Sequence, residues 1–371
     1  MILELTKSPA AAGLAAALRV VPYVVLSLPV GALIDRWDRK RVMVLCHVGR
    51  AIAVASIPVA MLFHVLTIWQ LYAVSLIEGS LFVLFSIAEV AALPRVVDRE
   101  QLPSAAAANE AAFGAASVVG PSFGTVLYQN FGRGFPFLAD ALSYVVSIVS
   151  LIFIKTEFQA ERVSEQRRSL RADVSEGLRW LWRNPLIRYM AFLVGALYMV
   201  DAGTPLLIIM LAKVAGVPDG QIGLIVSLGG VGAILGSLVA GQLRKRASFG
   251  SVVIGSTWAL ALLYLAYVFS HGVVWLGIVT VLINIVFPVF NVTQFSHRLA
   301  LIPDELQGRV NSVFRLIAIG LSSIGAALSG VLIQWIGVTA TVVVFGLWLV
   351  ACGILTWANS DVRRAQAIAD M

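Results

Sequence analysis

GLAAALRVVPYVVLSLPVGALIDR, Gly13–Arg36, returns later in the chain as GLIVSLGGVGAILGSLVAGQLRKR, Gly223–Arg246. At a constant offset of 210, Gly13, Leu14, Leu18, Val21, Ser27, Leu28, Gly31, Leu33 and Arg36 each meet their own residue type, nine of twenty-four aligned positions. In a chain rich in Leu, Val and Gly, that count alone carries little. The shared ending carries more: each copy is an apolar run of helix length that stops at Gly-x-Leu and turns basic. A second register supports it. At an offset of 205, Glu100 meets Glu305 and Gly120 meets Gly325, and Val126, Leu127, Gln129 and Gly132 meet Val331, Leu332, Gln334 and Gly337. The sequence reads as two related halves.

Composition says where such halves sit. The 371 residues are 59% hydrophobic and 13% charged, with mean hydropathy +0.91, whereas a soluble domain carries about 25% charge. A hydrocarbon core of ~30 Å is crossed by ~20 apolar residues in a helix. Eleven runs qualify: Ala10–Ile34, Val42–Val65, Ile68–Ala92, Ser104–Tyr128, Phe135–Ile154, Leu186–Leu211, Gln221–Leu243, Ser251–Ser270, Val273–Val292, Asn311–Ile333 and Thr339–Trp357. The period-two alternation of a barrel is missing, so the fold class is an all-α polytopic membrane protein. A membrane chain of two related halves is most simply read as a transporter of a small-molecule substrate, with the lipid bilayer as its surroundings.

The pI near 9.7 suggests nucleic acid, but the distribution of charge rejects it. The loops after spans one, three, five, seven and nine, with the C-terminal tail, hold 20 of the 27 Lys and Arg. The opposite loops hold only Lys7, Arg133 and Lys213. This is the positive-inside bias, which places the C-terminus in the cytoplasm and the written N-terminus outside. Residues 1–7 lack the basic start and cleavage site of a signal peptide. Cys46 and Cys352 lie within spans and read as buried thiols. The four His residues have no ligand spacing and no Walker motif is present, so metal, cofactor and enzyme activity are not expected.

Span one matches span seven and span four matches span ten, so spans one to five answer to spans seven to eleven. Span six has no partner, and by the same symmetry a helix is missing before Met1. The expected organisation is an N-terminal bundle of five spans (1–154), a polar cytoplasmic linker (155–185), a C-terminal bundle of six spans (186–358) and a cytoplasmic tail (359–371). Within the linker, Val174, Leu178 and Leu181 at helical spacing predict a surface helix over Asp173–Arg183.

Between spans one and two stands Gly31-Ala-Leu33-Ile-Asp35-Arg36-Trp-Asp38-Arg39-Lys40-Arg41. Its plain reading is a positive-inside loop with a carboxylate at a helix end. The stretch resembles the motif Gly-x-Leu-x-Asp-Arg-x-Gly-Arg-Lys/Arg of the major facilitator superfamily. It matches at Gly31, Leu33, Asp35, Arg36, Arg39 and Lys40 and departs at Asp38, where the family usually has Gly. The form Asp-Arg-Trp-Asp-Arg is similar to one branch, the drug–proton antiporters that include macrolide and siderophore (enterobactin) exporters. Leu138–Tyr144, Ile302–Val310, and Leu93-Pro94 followed by Leu102-Pro103 resemble that branch too.

The resemblance implies the major facilitator fold, two pseudo-symmetric bundles of five and six spans. It implies a secondary active transporter of the bacterial cytoplasmic membrane, acting as a monomer by alternating access, with protons entering as an amphipathic small molecule leaves. It also implies a cytoplasmic gate in which Asp35 faces the start of span ten near Arg309–Ser312 and Glu89 joins Arg36 or Arg41. The alternative for Glu89 is a solvated interfacial carboxylate. Gly120, Pro121 and Gly124 resemble the core of the exporter motif Gly-Pro-x-x-Gly-Gly, with Thr125 in place of the last Gly; ordinary helix packing is the alternative. Other readings of the whole chain are a lipid or nutrient transporter of the same fold, or a truncated membrane protein that does not transport.

Charge inside a bilayer is costly and usually functional. Glu78 follows Trp69 by nine residues, so it lies about 14 Å into span three. Asp201 lies fifteen residues into span six, ahead of Gly203 and Pro205. Both are candidates for proton coupling, and the alternative for each is a structural partner of Arg19 or Arg50. Arg19 itself either holds such a carboxylate or binds an anionic substrate. Asn284 and Asn291 either line a cavity or link helices.

Overall fold

The computed structural model describes residues 1–34, 37–97, 101–156, 158, 170–243, 247–270, 272–303 and 306–365. Its elements are helices. A short α1 (Ile2–Thr6) precedes α2 (Pro9–Ile34), α3 (Arg39–Leu62), α4 (Ile68–Val96), α5 (Leu102–Phe131) and α6 (Phe135–Phe153). The amphipathic α7 (Leu170–Arg183) leads to α8 (Pro185–Val214), α9 (Asp219–Leu243), α10 (Phe249–Ala266), α11 (Val273–Leu301), α12 (Gln307–Ile336) and α13 (Val338–Ala358), with α14 (Ser360–Arg364) last. Among the described residues, ten helices are long and apolar enough to cross a bilayer. The remaining expected span falls on α5, a thirty-residue helix about half of whose side chains lie outside the described set.

The chain divides into two compact units, residues 1–113 with 124–172, and 114–123 with 173–371. In the first, α2 packs on α4, and α3 packs on α4 and α6. In the second, α9 packs on α11, α10 packs on α11 and α13, and α8 packs on α12. These pairings repeat at the sequence offsets. The helix α4 (68–96) recurs as α11 (273–301), and α5 (102–131) as α12 (307–336), each shifted by 205 with no change of length. The start of α3 recurs at the start of α10, shifted by 210.

The caps repeat as well. Asp38 caps α3 by accepting from Arg41 N at 3.0 Å, and Ser248, 210 residues on, caps α10 by accepting from Ser251 N. Asp38 thus has a local reason where the family motif has Gly. The helices α5 and α12 both end on a glycine with positive φ, Gly132 at 92° and Gly337 at 82°, a conformation that L side chains avoid.

Burial follows the same register. Val42, Met43, Cys46, His47 and Arg50 are buried on α3, and Val252, Val253, Ser256, Thr257 and Leu260 are buried on α10. Close helix approach rests on single glycines. A Cβ on Gly79 of α4 would overlap the Arg19 carbonyl of α2, and one on Gly325 of α12 would overlap the Met199 carbonyl of α8. Large apolar side chains face outward, as a lipid solvent requires; Trp69 and Trp335 stand near helix ends, 75% and 80% exposed. Cys46 and Cys352 are free and buried. The helix α7 covers the expected surface segment: Leu181 is buried, Leu178 stays exposed, and Glu176 pairs with Arg309 of α12 at 2.6 Å.

Candidate functional site

Polar chemistry gathers at a basic loop, at an ionic cluster in the first unit and at a cavity in the second. In the basic loop, Asp35 and Arg36 lie outside the described residues, and Gly31 lies near the end of α2. Arg39 and Lys40 donate to backbone carbonyls. Arg39 Nη1 donates to the Ala91 carbonyl at 2.7 Å. Lys40 Nζ donates to the carbonyls of Ile152 at 3.2 Å and Ile154 at 2.6 Å. Those carbonyls end α6, where backbone acceptors have no helical partner and the helix dipole is negative, so a cation there is favoured. Arg41 pairs with Asp38 at 3.3 Å. Glu89 is half-buried and accepts from Asn109 Nδ2 of α5 at 3.2 Å.

The ionic cluster centres on Glu78, which is buried on α4. Arg19 Nε of α2 donates to Glu78 Oε2 at 2.8 Å. Arg50 of α3 donates to Oε1 through Nε at 3.0 Å and also through Nη2. The Tyr144 hydroxyl of α6 donates to the same oxygen at 3.1 Å. The Arg50 guanidinium lies 4.4 Å from the Tyr144 ring centre and 5.5 Å from that of Phe82. Both carboxylate oxygens are thus held by cations. Arg50 is as buried as Glu78, whereas the Arg19 side chain is 65% exposed.

The cavity lies within the second unit. Leu197, Val200, Asp201 and Thr204 of α8, Leu260 and Tyr264 of α10, Ile283 and Phe287 of α11, and Leu349 of α13 line it. Asp201 is exposed there, and among the described residues no Lys, Arg or His is in the wall. Thr204 Oγ1 donates to the Val200 carbonyl at 3.1 Å, so the Tyr264 hydroxyl, 3.3 Å away, is the donor to Thr204. The Tyr264 oxygen keeps its own lone pairs free to accept.

The repeat connects cluster and cavity. Adding 210 to Arg50 gives Leu260. Adding 205 to Glu78, Phe82 and Tyr144 gives Ile283, Phe287 and Leu349. Four of the positions at the ion cluster in the first unit thus recur in the cavity wall of the second, where Arg50, Glu78 and Tyr144 are answered by hydrocarbon; Arg19 falls on Gly229, outside that wall. Asp201, on α8, stands against that wall.

The other candidates distribute as follows. Asn284 Nδ2 donates to the Thr280 carbonyl at 2.9 Å, and a Cβ on Gly229 of α9 would meet that nitrogen at 3.0 Å. It sits at a tight contact between helices. Asn291 Oδ1 accepts from the Tyr198 hydroxyl at 3.3 Å. Gly120, Pro121 and Gly124 lie within α5, where a Cβ on either glycine would meet nothing within 4 Å among the described residues. The closest approaches are made elsewhere, at Gly79 and Gly325. Sequence reading missed Tyr144, Tyr264 and Phe287, which look like ordinary apolar-run aromatics. For two of them the signal was positional: Tyr144 stands four residues after Asp140, and Phe287 lies three and four residues from Asn284 and Asn291.

The Major Facilitator Superfamily model matches residues 1–324. The uncharacterized MFS-type transporter YfiS of Bacillus subtilis (strain 168) is 25% identical over 359 residues, covering 93% of this chain and 84% of that protein. The enterobactin exporter EntS of Citrobacter koseri is 28% identical over 330 residues, covering 88% of this chain and 77% of that protein. Among solved structures, the nucleoside transporter NupG aligns with a TM-score of 0.73 at 15% identity, covering 98% of this chain and 93% of that one. A bacterial homolog of the human lysosomal transporter Spinster, inward-facing and unoccupied, aligns with a TM-score of 0.74 at 12% identity, covering 96% and 90%. At these identities the two structures speak for the fold alone.

Proposed function

The chain belongs to the Major Facilitator Superfamily, and on that premise we propose that it exports an amphipathic small molecule in exchange for protons, with Asp201 as the proton-carrying group. Alternating access between its two halves is the mechanism. The observation that carries the assignment is the contrast between the two carboxylates. A carboxylate can exchange a proton inside a membrane only if no cation holds it ionised. Glu78 is held by two arginines and a tyrosine. Asp201 faces hydrocarbon, beside a Tyr264 oxygen that can accept a hydrogen bond from a neutral acid but has already committed its proton. Glu78 then serves as the counter-ion that fixes α2, α3, α4 and α6 together.

Export, rather than uptake, is favoured by the similarity to enterobactin exporters and by the Gly120-Pro121-x-x-Gly124 segment. The charge bias of the loops supports a cytoplasmic C-terminus, and the bacterial relatives support a bacterial cytoplasmic membrane. The gate assigned to Gly31, Asp35, Arg36, Arg39, Lys40 and Glu89 belongs to the same proposal. In it Arg39 and Lys40 serve as rigid braces on helix ends.

The test is Asp201→Asn in proteoliposomes and in an exporter-deficient host challenged with macrolides and catecholate siderophores. The variant should lose uphill export driven by a proton gradient while keeping downhill exchange of labelled substrate. Gradient-driven export at the wild-type rate in Asp201→Asn would rule out this assignment.

A further inference from the structure

The last turns of α11 and the first turns of α12 hold an unusual set of polar groups. Gln294, His297 and Arg298 are 6%, 1% and 5% exposed. Gln294 Oε1, both ring nitrogens of His297, Arg298 Nε and Asn311 Oδ1 are buried and find no hydrogen-bond partner among the described residues. Buried polar atoms are nearly always paired, so a local concentration of unpaired ones calls for an occupant.

The geometry brings them together. Gln294 and Arg298, four residues apart, share one face of α11; Asn311, Phe314 and Arg315 share one face of α12. The Arg298 guanidinium lies 3.7 Å from the Phe314 ring centre, which joins the two faces. Arg315 and the Tyr198 hydroxyl of α8 are within electrostatic reach of Arg298. No carboxylate pairs with Arg298 among the described residues, and its charged neighbour has the same sign. A guanidinium taken out of water without a counter-charge is strongly unfavourable, and the ring beneath it compensates only in part.

The donor set identifies the missing group. Arginine presents a planar fork that matches an oxyanion. The amides of Gln294 and Asn311 turn their N–H groups inward by a simple flip. We infer that the second unit carries an oxyanion site between α11 and α12, centred on Arg298, with Gln294 and Asn311 as donors and Arg315 as a second positive charge. It takes a carboxylate or a phosphate. Phe287, Asn291, Gln294 and Arg298 form one stripe along α11 at helical spacing, and Phe287 lines the Asp201 cavity. A molecule whose acidic group sits on Arg298 would therefore lay its apolar body toward that cavity. Anion binding does not depend on the proposed transport; only the identification of the anion as cargo does.

The test uses the purified full-length chain in neutral detergent without competing anions, with inorganic phosphate and benzoate as probes and thermal unfolding and calorimetry as readouts. Either probe should raise the wild-type unfolding midpoint by several degrees, because a ligand that binds only the folded state stabilises it. Arg298→Gln should weaken binding at least tenfold, Arg298→Lys less so, and the control Arg188→Gln should leave it unchanged. If Arg298→Gln does not fold, Gln294→Leu with Asn311→Leu removes donors without touching the charge and should also weaken binding. Nanodiscs of phosphatidylglycerol and of phosphatidylcholine separate the sources. Stabilisation through Arg298 by phosphatidylglycerol alone assigns the oxyanion to a lipid headgroup; stabilisation by benzoate assigns it to a soluble molecule. A wild-type midpoint unmoved by every probe overturns the inference, as does equal binding in the Arg298 or amide variants. Binding that emerges only after Asp304→Asn and Glu305→Gln would overturn it too, since the chain would then supply its own carboxylate. If binding holds while Asp201→Asn still exports against a gradient, the coupling assignment fails and the anion site stands.

Discussion

Replacing Glu78 should destabilise the first unit through one arginine rather than two. In Glu78→Gln, Arg50 loses its counter-charge while remaining buried, and breaking a buried pair from one side costs about 3–5 kcal/mol. Arg19 loses a partner too, but its side chain is 65% exposed, and an exposed pair is worth only ~0–1 kcal/mol. Tyr144 can still donate to the amide oxygen. The expected loss is therefore about 3–5 kcal/mol for Glu78→Gln and about 1 kcal/mol or less for Arg19→Gln.

The internal repeat supplies the sharper arm of the same experiment. Arg50→Leu, Glu78→Ile and Tyr144→Leu together install the residues found at Leu260, Ile283 and Leu349. With neither member of the buried Arg50–Glu78 pair left behind alone, and only the exposed Arg19 losing its partner, the triple variant should be more stable than either Arg50→Leu or Glu78→Gln, with an interaction term of at least ~2 kcal/mol. Thermal unfolding in detergent followed by size-exclusion chromatography gives the ranking, and urea titration in mixed micelles gives the energies. Wild-type stability in Glu78→Gln would refute the reasoning. So would a triple variant no better than the worse single, since the repeat would then not relate the two environments.

Two further substitutions test the frame around the sites. Gly325→Ala puts a Cβ into the Met199 carbonyl, so α8 and α12 must part; overpacking of this kind costs about 1–3 kcal/mol, which should show as lower yield of monodisperse protein, while Gly120→Ala, whose Cβ meets nothing within 4 Å among the described residues, should express normally. Asp38→Ala removes the α3 cap and should cost about 1 kcal/mol, with Asp38→Asn restoring most of it in the same unfolding assay.

Much of this fold is legible in the chain. A helix of thirty residues cannot hide its apolar run, and the repeat offsets read from identities at Gly132 and Gly337 fall on glycines that share one backbone conformation. The sites are less legible. Glu78 and Asp201 look alike as isolated carboxylates in apolar runs; what separates them is the set of side chains that three other helices deliver, at sequence distances of 59, 28 and 66 for Glu78. Hydropathy also ends the ninth span at Val292 and assigns Arg298 to a loop. The helix in fact continues to Leu301, and Arg298 is buried. The signal was Pro303: the residue before a proline resists helical geometry, so a helix running up to Ile302 was the simpler reading. Asp35 and Arg36, the heart of the expected gate, lie outside the described residues.

The replacement of Arg50, Glu78 and Tyr144 by Leu260, Ile283 and Leu349 has an evolutionary consequence. Two copies of one layout need not keep one chemistry. Once one copy is stitched by ions, its helices tolerate little drift, because each change strands a charge. The hydrocarbon-lined copy loses only a few contacts when its lining varies, so its cavity can be reshaped one side chain at a time. Reshaping of the lining therefore has an easier path through the second copy than through the first.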